Sequence, residues 1–268
     1  MNNHRAIIEM SLMYTHLLGP FVEQRLKASL DDGRKGRLRS IRHVSVLCLS
    51  VFVLLFLDHP VSAQSSGTLR IYLARHGETD WNAERRLQGR TDTALNSTGR
   101  QQAAKLAERL KGIRLDAIYC STLSRGRETA EIVRGEVPLK SLAGLNERNH
   151  GKFEGAKVDG SDPVTEKEWR QRRRDPEDEL DGGESLNQFY ERVRTTFGAI
   201  RSEHSSGAIL IVGHSLTNQM ILRALLGLTM QKATSIRQSN DELYLIELDA
   251  GNPPRLWKLI TEANLGDL

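Results

Sequence analysis

Two short apolar segments that each run into a histidine constrain the fold of this chain more than any other feature. The first, residues 69–73, leads into Arg75-His76-Gly77, and the second, residues 208–212, leads into Gly213-His214-Ser215. Short apolar runs of this kind are typical of strands covered on both faces of a parallel sheet. Ligands bind such sheets at the carboxyl ends of the strands. We therefore expect His76 and His214 to meet at one functional site.

The rest of the mature chain alternates between short apolar segments and amphipathic ones. Further strands are predicted at residues 116–120, 139–145, 242–248 and 256–260. Helices are predicted at residues 98–110, 125–134, 165–174, 184–204 and 216–226, and residues 77–96 are predicted to be a loop. This alternation predicts an α/β protein, a three-layer α/β/α sandwich with a mostly parallel central sheet.

The first 63 residues have the pattern of an export signal. Residues 44–57 are apolar or small and uncharged, a basic stretch precedes them, and Val61-Ser62-Ala63 has the small-x-small form of a cleavage site. A helix of this length rises about 21 Å, which is short of the roughly 30 Å hydrocarbon core. We expect cleavage near Ala63 and a periplasmic or secreted domain at 64–268, with an uncleaved membrane anchor as the alternative. Residues 1–33 suggest no function.

Charge and cysteine content limit the possible partners. The first 63 residues hold eight Lys and Arg against five Asp and Glu, so most of the formal net charge of +4 lies in this leader. A near-neutral domain argues against nucleic acid, which binds to a basic face. Cleavage would remove Cys48 and leave Cys120 alone, without an internal disulfide or a cysteine metal site. The oligomeric state is not predicted.

Four blocks of residues follow one another along the domain. They are Leu73-Ala74-Arg75-His76-Gly77-Glu78-Thr79 with Trp81-Asn82 and Leu87-Gln88-Gly89; Cys120 to Arg125 with Glu128-Thr129-Ala130; Leu145-Asn146-Glu147 with Phe153-Glu154-Gly155; and Val212-Gly213-His214. In this order and spacing they resemble the histidine phosphatase superfamily, which includes the cofactor-dependent phosphoglycerate mutases. The resemblance covers roughly residues 69–260 and implies a phosphoglycerate mutase-like fold.

The resemblance also implies a role for each matched side chain. His76 would take up the phosphoryl group, and Glu147 would protonate the departing alkoxide and then activate water. The phosphate would be bound by Arg75, Asn82, Gln88, Gly89, Arg125 and His214. An unprotonated imidazole is a suitable nucleophile near neutral pH, and a guanidinium is a forked donor suited to phosphate. Because the arginines supply the positive charge, we expect no metal and no cofactor.

Residues 146–183 are polar and rich in glycine, and we expect a solvated lid or insertion that contacts the leaving group. By resemblance, the mutases carry a longer insertion after the catalytic glutamate than the roughly 35 residues found here. An export signal also disfavours a glycolytic role. The predicted function is therefore a metal-independent phosphomonoesterase, histidine acid phosphatase-like, that acts through a phosphohistidine on a small phosphorylated metabolite. The alternatives are a cofactor-dependent phosphoglycerate mutase and a non-catalytic phosphate-binding module.

Several other polar residues have simpler interpretations. We expect His150 to lie in a solvated loop, with a place in the pocket wall as the alternative, and His204 to face solvent at the end of a helix. Ser215 is predicted to cap the helix that follows it. The basic run Arg170 to Arg174 is predicted to be a solvated helix face, with attraction of an anionic substrate as the alternative.

Overall fold

The computed structural model describes residues 67–260 and the backbone of strand 263–265, and it contains a seven-stranded sheet in the order β3-β2-β4-β1-β5-β6-β7. The strands are β1 (Leu69–Arg75), β2 (Ala117–Cys120), β3 (Leu139–Ser141), β4 (Gly207–Gly213), β5 (Leu243–Leu248), β6 (Arg255–Ile260) and β7 (Ala263–Leu265). The predicted signal peptide, its cleavage site and the alternative anchor lie outside the described residues.

The helices cover both faces of this sheet. They are α1 (Asp80–Ala83), α2 (Ser97–Arg109), α3 (Ser124–Arg134), α4 (Pro163–Arg172), α5 (Leu186–Glu203), α6 (Ser215–Leu226) and α7 (Met230–Ser235). The five predicted helices occur within about two residues of their predicted limits. The prediction missed α1, a single turn held by a capping box between Thr79 and Asn82 in the segment expected to be a loop.

The direction of the strands matches the predicted mostly parallel sheet. Strands β3, β2, β4 and β1 pair in parallel, whereas β5, β6 and β7 are each antiparallel to the strand before them in the sheet. Five of the seven strands consequently run in one direction. In the β1–β4 pair Leu69 lies opposite Gly207 and Arg75 lies opposite Gly213, so the two histidine-bearing ends reach the same edge of the sheet.

Alternate residues of the central strands face two separate apolar clusters, as the period of two in a strand requires. Ile71 and Ile211 face a cluster with helices α5 and α6, which contribute Phe189, Val193, Phe197, Met220 and Ile221. Tyr72 and Leu210 face a second cluster with Leu106 of α2 and Ala130 of α3. The three-layer α/β/α sandwich is therefore confirmed.

The segment 146–183 is more ordered in its packing than its polar composition suggests. It has a small apolar cluster of its own, formed by Phe153, Trp169 and Leu180. Arg148 of the same segment is also buried and is 1% exposed. Its guanidinium donates hydrogen bonds to the carbonyls of Glu184, Arg173 and Asp178. These contacts hold parts of the segment together around one buried guanidinium.

Among residues 67–260, no helix combines the length and the apolar character needed to cross a bilayer.

Candidate active site

His76 and His214 meet at the carboxyl edge of the central strands, as the sequence predicts. The backbone N–H of His76 donates to the carbonyl of Gly213 over 3.0 Å, which extends the β1–β4 ladder by one hydrogen bond. The centroids of the two imidazole rings are 5.0 Å apart. A spacing of this size allows both rings to contact one phosphate group.

The hydrogen bonding of His76 leaves one ring nitrogen available for chemistry. Its Nδ1 lies 2.7 Å from the carbonyl oxygen of Gly77. A carbonyl oxygen can only accept, so Nδ1 carries the hydrogen and Nε2 keeps its lone pair. Burial lowers the pKa of His76 well below 6.5, and the charges of Arg125 and Arg75 lower this pKa further. The site therefore holds an unprotonated imidazole near neutral pH.

His214 is fully buried and has one nitrogen without a protein partner. Its Nε2 lies 2.8 Å from Oγ of Ser121, and its Nδ1 is buried without a hydrogen bond. If Ser121 donates to Nε2, the ring hydrogen is placed on Nδ1 and can be donated to an anion. Burial and the charge of Arg125 lower the pKa of His214 well below 6.5.

Two guanidiniums flank the histidines and are held by backbone carbonyls. Arg125 is 1% exposed and donates to the carbonyls of Thr91 and Gly89, at 2.9 and 2.7 Å. Arg75 donates to the carbonyl of Gln238 over 3.0 Å. In both residues Nε is buried without a partner, and burial lowers the pKa, to about 10 for Arg125. Positive charges fixed in this way, with donors left over, can bind a phosphate.

Glu147 lies at the N-terminus of α6, which starts directly after His214. Its Oε2 accepts from the backbone N–H of Leu216 over 3.0 Å. Its Oε1 accepts from the N–H of Arg148 and the hydroxyl of Thr217, at 3.0 and 3.3 Å. A carboxylate has about four lone-pair sites, so a position on Oε2 remains open for a proton. Its negative charge also faces the positive end of the helix dipole.

The remaining predicted phosphate ligands have structural roles in the described contacts. Oδ1 of Asn82 accepts from the N–H and hydroxyl of Thr79, which fixes the amide. Gln88 is buried, and its Oε1 accepts from the hydroxyl of Thr93 over 2.6 Å. Gly89 contributes the carbonyl that binds Arg125, and its φ of +56° is one that glycine adopts readily. No described hydrogen bond joins Asn82 or Gln88 to His76 or the arginines.

A cluster of amides that the sequence did not reveal fixes the end of β1. Gln238 donates to the carbonyl of Leu73, Asn218 donates to that of Ala74, and Asn240 donates to that of His76. Asn218 also donates to Oε1 of Gln238 over 2.7 Å. Because the backbone of Gln238 accepts from Arg75, one loop positions both the nucleophile and a phosphate donor. No short-range pattern marks these residues.

Two carboxylates fix the loops around the site in a similar way. Glu184 pairs with Arg192, whose guanidinium also donates to the carbonyls of Gly144 and Asn146, next to Glu147. Glu154 accepts from the backbone N–H groups of Arg90, Thr91 and His150. The second carboxylate thus supports the loop whose carbonyls bind Arg125. Of these two carboxylates, only Glu154 belongs to one of the four blocks identified in the sequence.

Two expectations for single residues are wrong. His150 is 9% exposed rather than solvated, because it packs edge-on against Trp169 with ring centroids 6.0 Å apart. Ser215 does not cap α6: the N-cap residue is His214, without a side-chain bond, and Glu147 accepts from the first turn instead. Among residues 67–260, no three His, Cys, Asp or Glu side chains form a group that could hold a metal ion.

The burial of His150 predicts a pH-dependent stability. Burial and the charges of Arg148 and Arg173 lower its pKa to about 3, whereas an unfolded histidine titrates near 6.5. Between these values the unfolded state binds one more proton, so the free energy of unfolding falls as the pH decreases below about 6.5. The expected loss is up to about 1.4 kcal/mol per pH unit for this residue.

Urea unfolding of the wild type and of His150→Gln at pH 7, 6 and 5 measures this contribution. The variant should lose less stability than the wild type as the pH falls, by about the stated slope. Equal slopes would mean that His150 becomes protonated in the folded protein.

Comparisons with known proteins agree with this geometry. The model of the histidine phosphatase superfamily, branch 1, matches residues 71–259. The chain is 35% identical over 185 residues to a Shigella boydii protein named "Probable phosphoglycerate mutase GpmB", which covers 67% of this chain and 85% of that protein. The structure of Bacillus stearothermophilus YhfR superposes with a TM-score of 0.61 at 32% identity, over 75% of this chain and 98% of that one.

A further structure extends the comparison to a ligand complex. Phosphoserine phosphatase from Entamoeba histolytica, solved with 3-phosphoglyceric acid, superposes with a TM-score of 0.61 at 22% identity, over 72% of this chain and 98% of that one. At this identity the likeness concerns the fold. The family match covers both histidine-bearing strands and the loops between them. The chain therefore belongs to the histidine phosphatase superfamily, branch 1.

Proposed function

We propose that this protein is a metal-independent phosphomonoesterase that acts through a phosphohistidine at His76 on a small phosphorylated metabolite. One observation carries the proposal: the free Nε2 of a buried, unprotonated His76 lies among unpartnered donors of His214, Arg75 and Arg125. Phosphoryl transfer spreads negative charge over three oxygens, and such donors stabilise that charge.

In the first half-reaction Nε2 of His76 attacks phosphorus and the bond from phosphorus to the ester oxygen breaks. The guanidiniums of Arg75 and Arg125 bind the phosphoryl oxygens, and Nδ1 of His214 donates to them. Glu147 takes up the proton that a monoanionic phosphate ester carries and gives it to the departing alkoxide, which leaves as an alcohol. The hydrogen on Nδ1 of His76 stays on that nitrogen and keeps its hydrogen bond to the carbonyl of Gly77, which orients the ring and stabilises the positive charge on the phosphorylated imidazole.

In the second half-reaction water attacks the phosphohistidine. Glu147, now a carboxylate, removes a proton from this water, and the bond from Nε2 to phosphorus breaks to release inorganic phosphate. The proton leaves with the phosphate, which restores His76 and the carboxylate of Glu147. The three donors on Glu147 keep its position the same in both half-reactions.

A phosphoglycerate mutase is the second candidate. It is favoured by the name of the Shigella boydii relative, and it would return the phosphoryl group to a substrate hydroxyl instead of water. The short segment between Glu147 and Ser185 favours hydrolysis, because a site with little cover admits water after the alcohol leaves.

We also propose that the domain is exported. The apolar residues 44–57, the basic stretch before them and Val61-Ser62-Ala63 support cleavage near Ala63. A periplasmic or secreted enzyme would meet phosphate esters outside the cell, which fits hydrolysis better than a step of glycolysis.

The first prediction concerns the nucleophile. His76→Ala should lower the rate of phosphate release from an aryl phosphate by a factor on the order of 10⁴ or more, because no other group can accept the phosphoryl group. His204→Ala is the matched control, since His204 contacts Tyr119 at the opposite end of the sheet, and its rate should stay within about twofold.

A colorimetric phosphate assay measures both rates, and 3-phosphoglycerate is supplied in parallel. Isomerisation of this acid without net phosphate release would identify a mutase. If the protein binds phosphate but catalyses neither reaction, it is a non-catalytic phosphate-binding module.

The second prediction concerns the acid. Glu147→Gln keeps the size of the side chain and one acceptor oxygen, for the N–H of either Leu216 or Arg148, but it cannot transfer a proton. Hydrolysis of an alkyl phosphate should fall by about 10²–10⁴, because its alkoxide needs protonation. With 4-nitrophenyl phosphate the first step needs no acid, so the variant should release one equivalent of nitrophenol in a burst and accumulate phosphohistidine. Equal losses with both esters and no burst would contradict this role.

The third prediction concerns export. N-terminal sequencing of the protein recovered from the host of origin should start near Gln64. A chain that retains Met1 and sediments with membranes would instead support the uncleaved anchor.

A further inference from the structure

A cavity of about 580 Å³ lies between the end of α4, the start of α5 and helix α7. Its wall contains the apolar side chains of Pro176, Leu186 and Met230. Three arginines also line it, Arg173 and Arg174 on one side and Arg237 on the other, together with the polar residues Gln231, Thr234 and Ser235. We call this space the arginine cavity. Its size is that of pockets that enclose small organic ligands.

The described residues place no carboxylate against the charges of this cavity. Within the part of the chain that the structure describes, no carboxylate oxygen lies within 4.0 Å of Arg173, Arg174 or Arg237. Arginines nearby are paired, as in Arg170 with Glu166 and Arg172 with Asp178. Burial lowers the pKa of Arg173, and the charges of Arg237, Arg170 and Arg174 lower it further. The arginines that line the cavity therefore repel one another until an anion enters.

The arginine cavity adjoins the proposed leaving-group side of the active site. Arg237 precedes Gln238, whose carbonyl binds Arg75 over 3.0 Å. On the other side the carbonyl of Arg173 accepts from Arg148, the residue after Glu147. The charge of Glu147 also acts on Arg173. The two walls are thus fixed to a phosphate donor and to the proposed acid.

Building on the proposed phosphatase activity, we propose that the arginine cavity binds a second anionic group on the leaving group of the substrate. The apolar side chains between the arginines fit an apolar spacer between the two anions. The substrate class is therefore a phosphate monoester with a distal carboxylate or phosphate.

Binding of phosphonates tests the proposal without turnover. Alkyl phosphonates with two, four or six methylenes, ending in a hydroxyl, a carboxylate or a second phosphonate, are titrated calorimetrically into the full chain. A distal anion should tighten binding about tenfold or more over the hydroxyl, because charge-assisted bonds to guanidinium are strong. The gain should be largest for the longer spacers. The carboxylate and phosphonate arms show which anion is preferred.

In Arg237→Gln the phosphonates with a distal anion should bind at most about threefold tighter than those that end in a hydroxyl. Arg174→Gln should lose part of the wild-type difference. Arg201→Gln is the matched control, an exposed arginine at the far end of α5, and should keep the wild-type ratio. Equal affinities for the hydroxyl and anionic series, a gain confined to the shortest spacer, or a ratio unchanged in Arg237→Gln would each overturn the proposal.

Hydrolysis of the corresponding phosphate esters separates this proposal from the proposed function. If the esters are not hydrolysed but the phosphonates show the expected ratios, the activity is wrong and the cavity assignment stands. If the hydroxyl and carboxyl esters are hydrolysed at the same kcat/KM and the phosphonates bind equally, the cavity assignment alone fails.

Discussion

The register between β1 and β4 is the constraint on which the site depends. Arg75 lies opposite Gly213, and the next residue of each strand is a histidine. A shift of the register by one residue would turn every side chain of a strand to the other face of the sheet. Ile71 or Ile211, depending on which strand moved, would then leave the cluster under α5 and α6, and His76 would no longer face His214. Burial of the core and placement of the two imidazoles are therefore set by the same pairing.

The same burial explains how a neutral histidine can lie beside two cations. Arg125 is held by two carbonyls and Arg75 by one, and in the described contacts neither guanidinium meets a carboxylate that would cancel its charge. These charges, together with desolvation, keep His76 unprotonated. Buried polar atoms without a partner are rare in folded proteins, and here several of them surround His76 and His214. An anion that accepts hydrogen bonds from these atoms offsets the cost of their burial, which favours a bound phosphate.

Much of the fold could be predicted from the sequence because its strands are short and apolar and its helices are amphipathic. The proposed reacting groups could also be predicted, because His76 and His214 directly follow such strands. Residues whose role depends on tertiary contacts could not be predicted from the sequence. His150 has polar and glycine neighbours in the sequence, and its burial depends on Trp169 of α4. Gln238 and Asn240 bind the carbonyls at the end of β1 from a loop near the C-terminus, where no local pattern indicates their role.

The two sides of the site are built differently, and this difference bears on the reaction. The phosphate side is fixed by the central strands and by the amides that bind their ends. The leaving-group side is formed by segment 146–183 and by the loop at Arg237, which are joined to the sheet through Arg148 and the Arg192–Glu184 pair. Glu147 lies where the two sides meet, and in the proposed mechanism both half-reactions use its carboxyl group. Transfer to water or to a second alcohol is then decided by what occupies the space beside Glu147 once the first alcohol has left. Changes in that segment can alter the substrate and the acceptor without moving His76 or its phosphate donors.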